Sequence, residues 1–380
     1  MIDVIALLKS LINCQSITPV QAGALDLAQE LLSKAGFTVQ RLPAGEVDNL
    51  WATDNACPRA LLAGHIDVVP PGDETAWHSA PFIAEERDGY IYGRGAADMK
   101  AGVAAMLCAA TRLRQQGING IAILLTSDEE GPALHGTRHV VEWWQKNNEE
   151  CIDYAIVGEP TCEEFFGDTI KTGRRGSLTA RIIVHGQQTH VAYPHRGDNP
   201  NHQLINALET MRQNWPPCLT AEASSAPSTG FQVVSLKSGA GANNITPASA
   251  TATINFRYAP ADDPAQLQQT LESSLTQTTG KNWTCDWEHS AEPFFTATDS
   301  VLVHALQEEI DKVTGRRPAL STGGGTSDGR FLRTICRELV EFGPRNETIH
   351  APNERVGIEE VRQLATIYEK TVQGLLLSKN

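Results

Sequence analysis

A histidine and an aspartate stand two residues apart at the end of a predicted buried strand. The apolar run Ala60 to Ala63 leads into Gly64-His65-Ile66-Asp67-Val68-Val69-Pro70-Pro71-Gly72. In open α/β sheets, ligands bind beyond the carboxyl ends of the strands. Side chains at positions i and i+2 point the same way, so Asp67 could accept a hydrogen bond from His65 and fix the tautomer of a metal-bound imidazole. A histidine in a turn is also compatible with a purely structural role, and the neighbouring motifs decide between the two.

Acidic residues follow three more predicted strands or turns in the same half of the chain. Their segments are Gly93-Arg94-Gly95-Ala96-Ala97-Asp98-Met99-Lys100, Thr126-Ser127-Asp128-Glu129-Glu130-Gly131 and Val157-Gly158-Glu159-Pro160-Thr161. The late segment Glu347-Thr348-Ile349-His350-Ala351-Pro352-Asn353-Glu354 adds a second histidine. Any one of these acids could be a solvated loop residue, but their coincidence at one sheet edge predicts a metal site. Imidazole and carboxylate without thiolate suit zinc, with cobalt or manganese as substitutes, and several carboxylates can bridge two ions about 3.5 to 4 Å apart.

The elements that must position these residues alternate between strands and helices in the first part of the chain. Short apolar runs followed by turn signals predict buried strands at Ala60 to Ala63, Ile121 to Leu125 and Tyr154 to Val157. Between them, apolar residues at helical spacing predict helices over Ala101 to Leu113 and His135 to Trp144. This alternation is typical of an α/β domain with a mostly parallel sheet covered by helices.

A different pattern begins near Leu178, where apolar and polar residues alternate up to His185. The elements predicted after this strand are a helix over about Asn201 to Arg212, strands near Phe231 to Leu236 and Ala250 to Tyr258, a helix near Pro264 to Leu275 and a strand at Trp283 to Trp287. The order β-α-β-β-α-β is that of a ferredoxin-like α+β domain. The Ser-, Ala- and Pro-rich stretch Thr220 to Gly230 predicts a surface loop within it.

Helix-strand-helix patterning resumes after about residue 292. The predicted elements are Val301 to Val313, Leu339 to Phe342 and Ile358 to Leu376. The sequence therefore predicts one α/β domain, residues 1–178 and 292–380, interrupted by an inserted α+β domain, residues 179–291. A chain of 380 residues is long enough for two separate cores.

Charge and composition disfavour several classes of function. The chain carries 31 Lys and Arg against 45 Asp and Glu, a formal net charge of −14, which repels phosphate backbones and anionic membranes. We therefore expect neither nucleic acid nor a membrane as partner, and no stretch approaches the ~18 apolar residues that cross a bilayer. The N-terminal segment lacks the features of a leader peptide. The eight cysteines are scattered without a C-x-x-C pair, which indicates reduced thiols and a cytoplasmic protein.

These motifs resemble the M20 family of dinuclear zinc aminoacylases and peptidases, with matches from residue 65 to residue 354. Further segments that carry the resemblance are Gly167-Asp168, Lys171 to Leu178, His190 to His195, Gly325 to Phe331 and Glu341 to Pro344. The resemblance implies a catalytic domain that binds two zinc ions, an inserted dimerisation or lid domain, and hydrolysis of a linear amide. The implied partners are a small anionic substrate and a second copy of the chain.

By this resemblance, two sets of three residues would each hold one zinc ion. The first set is His65, Asp98 and Glu159, and the second is Asp98, Glu130 and His350. Asp98 would bridge the two ions. Glu129 is implied as the general base that takes a proton from the attacking water and delivers it to the departing amine. Asp67, beside His65, is counted with the catalytic residues.

The resemblance also implies a pocket for an anionic substrate. The matching positions are Arg174, Ser177, Tyr193, Asn243, Asn244, Arg257, Thr326 and Asn346. A guanidinium can hold a carboxylate through two parallel hydrogen bonds, although Arg174 and Arg175 are also compatible with a solvated turn. His190, on the inserted domain, is implied as a donor to the oxyanion in the neighbouring subunit. Thr189 stands where relatives usually have Gly, so a structural role for His190 is the alternative.

Three other interpretations are open at this stage. A deacylase or dipeptidase of the same family with another substrate would share the metal ligands. The glycines of Gly93-Arg94-Gly95 and Gly323-Gly324-Gly325 could indicate nucleotide binding, but the first segment continues to Asp98, where a third glycine is required and a carboxylate would repel an anion. A catalytically inactive, metal-stabilised dimer is disfavoured by Glu129 beside a full ligand set.

Overall fold

The elements of this fold are described, in a computed structural model, for residues 2–55, 57–148, 150–215 and 228–378. The strands of these ranges are β1 (Thr38–Arg41), β2 (Asn49–Thr53), β3 (Ala60–His65), β4 (Glu85–Arg87), β5 (Tyr90–Tyr92), β6 (Ile121–Thr126), β7 (Ile152–Val157), β8 (Thr169–Lys171), β9 (Gly173–Arg174), β10 (Gly176–His185), β11 (Gly230–Ser238), β12 (Ser249–Tyr258), β13 (Trp283–Ala291), β14 (Phe294–Phe295), β15 (Ala319–Ser321), β16 (Cys336–Glu341) and β17 (Arg355–Gly357). The helices are α1 (Val4–Asn13), α2 (Ala24–Lys34), α3 (Ala101–Gln115), α4 (Thr137–Asn147), α5 (Pro200–Asn214), α6 (Pro264–Thr279), α7 (Val301–Thr314), α8 (Gly329–Leu332) and α9 (Ile358–Leu377).

The chain divides into two compact units. The first unit comprises Met1–Gly173, Phe295–Ser321 and Ser327–Asn380, and the second comprises Arg174–Phe294 and Thr322–Thr326. The first unit contains an eight-stranded sheet in the order β1-β2-β6-β3-β7-β16-β8-β15. Its central strands β6, β3, β7 and β16 are parallel to one another, whereas β1 and β2 add to one edge in antiparallel pairs.

Register brings the carboxyl ends of the central strands to one edge of this sheet. His65, the last residue of β3, pairs with Thr126, the last residue of β6, and Ala63 pairs with Val157, the last residue of β7. The side chains of β3 and β6 are buried along their whole length, as expected for parallel strands covered on both faces. The loops that leave β3, β6 and β7 therefore emerge side by side, and these are the loops with the predicted ligands.

Helix α3 is buried on almost all sides, because it packs within the main core of the first unit. Its side chains Val103 and Leu107 belong to the same hydrophobic cluster as Leu364 and Tyr368 of α9. A Cβ atom on Gly102 would lie 2.3 Å from the carbonyl oxygen of Gly158. The first turn of α3 therefore comes into close contact with the loop that follows β7.

The second unit has the element order β10-α5-β11-β12-α6-β13 and an antiparallel sheet in the order β11-β12-β10-β13. One face of β10 is buried through Leu178, Ala180, Ile182 and Val184, and alternate residues are more exposed. The buried face packs with apolar side chains of α5 and α6 in a core of its own. This arrangement is the ferredoxin-like split βαβ fold.

The predicted fold class, an α/β domain with a ferredoxin-like insert, is confirmed. The second unit begins at Arg174 and also takes in Thr322–Thr326, whereas the sequence predicts an insert over 179–291. It begins earlier because Gly176 already pairs with Tyr258 in its sheet. Of the loop predicted over 220–230, residues 220–227 lie outside the described ranges, and Gly230 begins β11.

Helix α4 begins at Thr137, later than the predicted His135. The backbone N–H of His135 donates to Oδ2 of Asp128 at 2.9 Å, which keeps this residue in the loop.

Across the described residues, every helix is either too short or too polar to span a lipid bilayer.

Candidate metal centre

His65 is held at the end of β3 with one ring nitrogen already bonded to the protein. Its Nδ1 lies 2.9 Å from the backbone carbonyl oxygen of Asp67, which accepts when Nδ1 carries the proton. This tautomer leaves Nε2 as a lone-pair donor, and Nε2 lies 3.2 Å from Oδ1 of Asp98. A metal-bound histidine commonly donates its other ring N–H to such an acceptor, which fixes the orientation of the imidazole.

The predicted bond from His65 to the Asp67 side chain is replaced by this backbone bond. The Asp67 carboxylate lies 3.7 Å from Nδ1 of His65. It accepts instead the backbone N–H groups of Glu129 at 3.3 Å and of Glu130 at 3.1 Å. Asp67 is fully buried, and its carboxylate therefore ties the loop after β3 to the loop after β6.

The Asp98 carboxylate lies between the two predicted histidine ligands. Oδ1 faces Nε2 of His65 at 3.2 Å, and Oδ2 faces Nε2 of His350 at 3.3 Å. Burial alone would raise the pKa of Asp98, but hydrogen bonds from His350 and His65, when these rings carry a proton on Nε2, lower it well below its usual range. One carboxylate with a separate imidazole at each oxygen is the arrangement that a bridging ligand requires.

Glu159 completes the group around His65. It follows β7 by two residues, and its Oε1 lies 3.8 Å from Nε2 of His65. This oxygen is buried and accepts no hydrogen bond from the described residues. Burial, together with the neighbouring charges of Asp98 and Glu129, raises the pKa of Glu159 well above its usual value. A cation at this oxygen would satisfy it and favour the ionised form.

Glu130 and His350 form the second group with Asp98. Nε2 of His350 lies 2.9 Å from Oε1 of Glu130. The hydrogen bonds to Asp98 and Glu130 raise the pKa of His350 to about 10, although partial burial acts in the opposite direction. His350 has a positive φ of 60°, in a turn between β16 and β17, and its side chain remains half exposed. Solvent and small molecules can therefore reach this side of the cluster.

The donor set fits two divalent cations. His65, Asp98 and Glu159 offer ligand atoms within 4.8 Å of one another, as do Asp98, Glu130 and His350. The ligand atoms of His65, Glu129 and Glu130 also lie within 4.8 Å of one another. Because His65 belongs to the first set and Glu130 to the second, the two sets are adjacent. Four carboxylates buried together would repel one another strongly, and two cations would offset that repulsion. Imidazole and carboxylate ligands without thiolate are those expected for zinc.

Glu129 lies in the same cluster and is the carboxylate left over when the two sets are assigned. Burial raises the pKa of Glu129 well above its usual value; the charge of His65 lowers it, and those of Asp328, Glu130 and Asp98 raise it further. A carboxylate that no metal ion holds can act as a general base, because it is free to accept a proton.

The second unit brings together several of the residues predicted to bind substrate. Ser177 and Arg257 stand opposite each other on β10 and β12, and Oγ of Ser177 accepts from Nδ2 of Asn255 at 3.2 Å. Arg174 is buried, and its Nη1 donates to the carbonyl oxygen of Gly323 at 2.8 Å, within the same unit as Thr326. The guanidinium is thus held by the glycine-rich segment and does not lie in a solvated turn.

His190 and its predicted neighbours lie on an exposed part of the second unit. The ring centroids of His190 and Tyr193 are 5.8 Å apart, and Nε2 of His190 lies 3.5 Å from Nδ2 of Asn244. Nδ1 of His190 accepts the backbone N–H of Ala192 at 3.1 Å, so Nε2 carries the proton when the ring is neutral. Asn243 is exposed beside Asn244. His190 is itself exposed, and its Nε2 faces the side-chain amide of Asn244.

Asn346 is the last of the predicted substrate-binding residues, and Glu354 is a buried residue beside the site that the sequence did not predict. Asn346 belongs to the first unit, where its backbone N–H donates to the carbonyl oxygen of Cys162 at 2.9 Å. Glu354 was not among the predicted site residues, yet it is fully buried and accepts the backbone N–H of Asp98 at 3.0 Å. Its position four residues after His350 was the signal in the sequence that could have identified it.

The fold and this donor set point to the class of metal-dependent hydrolases. The profile of Peptidase family M20/M25/M40 matches residues 61–374, and the chain belongs to this family. The resemblance that the motifs carry is thereby confirmed.

Relatives from two bacterial genera match nearly the whole chain. The chain is 44% identical over 380 residues to a succinyl-diaminopimelate desuccinylase of Bordetella pertussis, covering 99% of this chain and 98% of that protein. It is 43% identical over 381 residues to a succinyl-diaminopimelate desuccinylase of Coxiella burnetii, covering 99% of this chain and 100% of that protein.

Solved structures share the fold at low sequence identity. An M20 family metallo-carboxypeptidase from Sulfolobus solfataricus superposes with a TM-score of 0.73 at 19% identity, covering 100% of both chains. A Bacillus subtilis protein described as a dinuclear metal binding peptidase from the M20 family gives a TM-score of 0.68 at 14% identity, covering 98% of this chain and 99% of that chain. These likenesses establish the fold of the chain.

Proposed function

We propose that the chain hydrolyses N-succinyl-LL-2,6-diaminopimelate to succinate and LL-2,6-diaminopimelate, a step of lysine and cell-wall precursor biosynthesis. The observation that carries the chemistry is the Asp98 carboxylate between His65 and His350, with Glu129 in the same cluster. The choice of substrate rests on the relatives, because two named for desuccinylation of this compound are 43% and 44% identical to the chain over almost its full length.

Two zinc ions are the proposed cofactors, with cobalt or manganese as substitutes. His65, Asp98 and Glu159 would hold one ion, and Asp98, Glu130 and His350 the other. Such a pair of ions, when bound, polarises the amide carbonyl and lowers the pKa of water toward neutrality. The Bacillus subtilis protein with a similar fold is described as a dinuclear metal binding peptidase, which supports the proposal of two metal ions per chain.

Glu129 is the proposed general base and acid. It would accept the proton of the attacking water and then deliver it to the departing amine. The cations proposed beside Glu129 would favour its ionised form, which is the form that accepts the proton of water. Asp67 assists by bonding to the backbone N–H of Glu129, which restrains this side chain at its point of attachment.

The cationic and polar residues of the second unit are proposed to bind the substrate carboxylates. Arg174 and Arg257 supply guanidinium groups, and Ser177 and Thr326 supply hydroxyl donors. Tyr193, Asn243, Asn244 and Asn346 are the further proposed pocket residues. Burial, with the charge of Arg175 as a smaller contribution, lowers the pKa of Arg257, and an anionic ligand would stabilise its charged form. A local basic group of this kind offsets the net charge of −14, which would otherwise repel an anionic substrate.

A homodimer is proposed, with His190 donated to the oxyanion in the partner's site. The second unit carries His190, Tyr193 and Asn243 but none of the five proposed metal ligands, so it must act on a metal-bearing unit. Strand β11 supports a docking surface for the second copy, because it is an edge strand whose Val234 and Leu236 are 65% and 58% exposed. Unpaired strand edges with exposed apolar side chains favour association.

A cytoplasmic location is proposed for this enzyme. The seven cysteines in the described part of the chain are all free thiols, which is the state expected in a reducing compartment.

The test is a product assay with purified, zinc-loaded protein. We expect release of succinate from N-succinyl-LL-2,6-diaminopimelate at a kcat/KM at least a hundredfold above that for N-acetylornithine. Preference for N-acetylornithine or for a dipeptide would instead assign the alternative deacylase or dipeptidase activity of the family. Glu129→Gln should keep its zinc and lose about 10² to 10⁴ in kcat, because an amide cannot accept the proton of water. A near-normal kcat in that variant would refute the assigned base.

A further inference from the structure

A buried ion pair contacts the backbone of Asp98, one of the proposed metal ligands. Arg94 and Glu354 have side chains that are 2% and 1% exposed, and Nη1 of Arg94 donates to Oε2 of Glu354 at 2.8 Å. The two residues are 260 positions apart in the chain. Arg94 and Glu354 belong to two separate motifs of the sequence, and neither is a proposed ligand.

The Glu354 carboxylate accepts four hydrogen bonds from one short segment. Besides Arg94, the backbone N–H of Gly95 donates to Oε2 at 2.8 Å. The backbone N–H groups of Ala97 and Asp98 donate to Oε1 at 2.9 Å and 3.0 Å. Both oxygens are therefore fully used by residues 94–98, which end at the carboxylate proposed to bridge the ions. A buried carboxylate bonded in this way stabilises one conformation of that segment.

The same pair also reaches the segment that contributes His350. Nη1 of Arg94 donates to the carbonyl oxygen of Ala351 at 3.3 Å, and the backbone N–H of Gly93 donates to the carbonyl oxygen of Glu354 at 3.0 Å. Side-chain and main-chain bonds thus join the segment of Asp98 to the segment of His350. These are the two ligands whose side chains face each other at 3.3 Å.

We propose that Glu354 and Arg94 are positioning residues that set the placement of Asp98 relative to His350 and thereby the affinity of the metal centre. The inference rests on the two-metal function proposed above. A backbone bond to Asp98 fixes the point from which its carboxylate extends, and the bonds around Ala351 fix the turn that presents the imidazole. Partners that orient metal ligands typically contribute a factor of 10 to 100 in metal affinity.

A purely structural role is the alternative, and the chain offers a matched control for it. Asp54 is also a buried carboxylate that accepts backbone N–H groups, from Gly120 at 2.8 Å and Ile121 at 3.0 Å, and it lies 3.6 Å from Arg114. Its bonds are at the start of β6, the opposite end of this strand from Glu129. Asp54→Asn therefore removes a comparable buried charge far from the metal ligands.

The experiment measures zinc affinity by competition with a chromophoric chelator, together with thermal unfolding of the zinc-free protein. We expect Glu354→Gln to weaken the binding of at least one zinc ion by 10- to 100-fold, because the amide nitrogen faces N–H donors, while Asp54→Asn stays within twofold of the unsubstituted protein. Should Glu354→Gln fail to fold, Glu354→Asp keeps the charge, withdraws it by one methylene and should weaken zinc binding in the same direction.

Zinc affinity unchanged in the folded variants of Glu354 would overturn the inference. An equal loss of affinity in Asp54→Asn would also overturn it, because the effect would then follow from general destabilisation. Absence of zinc binding by the unsubstituted protein would refute the proposed function itself, so the two failures are distinguishable.

Discussion

Oδ2 of Asp67 accepts a hydrogen bond from the backbone N–H of Glu130 at 3.1 Å. The two residues follow neighbouring parallel strands, and this bond joins the loops that leave them. Because the other oxygen of Asp67 accepts from Glu129, one buried carboxylate restrains a proposed metal ligand and the proposed general base together. We therefore expect Asp67 to act on the proposed reaction through the backbone of its neighbours.

We expect Asp67→Asn to lower kcat by about 10- to 100-fold and to leave KM nearly unchanged. The asparagine side chain has one acceptor oxygen and one N–H₂ group, so one of the two backbone N–H groups must lose its partner. Steady-state kinetics with zinc content measured on the same preparation check this, with Asp54→Asn as the control. An equal fall in kcat for the control would show that Asp67 has no specific effect on the site.

Arg174→Ala should weaken kcat/KM for the succinyl substrate by about 2 to 3 kcal/mol, the scale of a buried hydrogen bond to a charged group. Arg174 is buried in the second unit, whereas the proposed metal ligands all belong to the first unit. We therefore expect the zinc content of Arg174→Ala to be unchanged. Arg181→Ala is the matched control, because Arg181 is an exposed residue of β10 paired with Glu288. If kcat/KM of Arg174→Ala equals that of the control, Arg174 does not bind the substrate.

Mixing two inactive variants tests the shared active site. If His190 acts across the dimer, a mixture of Glu129→Gln and His190→Ala subunits contains one site with both defects and one site with neither. Activity should then rise above that of either parent after subunit exchange. If His190 acts within its own chain, every site keeps one defect. Confirmed exchange, for example by mass spectrometry of tagged subunits, without regained activity would exclude donation across the dimer.

Gly102→Ala should destabilise the first unit by about 1 to 3 kcal/mol, the usual cost of overpacking. Alanine normally favours a helix by about 1 kcal/mol over glycine, but a Cβ atom at this position would lie 2.3 Å from the carbonyl oxygen of Gly158. Gly374→Ala, in the exposed surface of α9 with no atom within 4 Å, should instead be neutral or stabilising. Urea unfolding measures both, and a Gly102→Ala midpoint at or above that of Gly374→Ala would contradict the close approach.

Part of the candidate metal centre was accessible from the sequence, because His65, Glu130 and Glu159 lie at or just after the ends of strands that apolar runs predict. Buried runs such as Ala60 to Ala63 predict parallel strands, and the carboxyl ends of parallel strands meet at one sheet edge. His65 and Glu159 follow such strands directly, and their side chains do lie within 3.8 Å of each other. The alternating pattern from Leu178 likewise predicts a half-buried strand, which β10 is.

Other features depend on contacts that no local pattern encodes. Spacing predicts that the side chain of Asp67 faces His65. Strand β3 ends at His65, however, and the backbone carbonyl of Asp67, rather than its carboxylate, lies 2.9 Å from Nδ1 of His65. The pair Arg94 and Glu354 joins segments 260 residues apart. The short, partly exposed strand β1 has too few apolar residues to be recognised as a strand from its sequence.

Anomalous diffraction at the zinc edge, from crystals of the zinc-loaded protein, is the most direct test of the proposed centre. We expect two peaks per chain, one contacted by His65, Asp98 and Glu159 and the other by Asp98, Glu130 and His350, with Glu129 bound to neither ion. A single peak, or two peaks that do not share Asp98, would contradict the two-metal account.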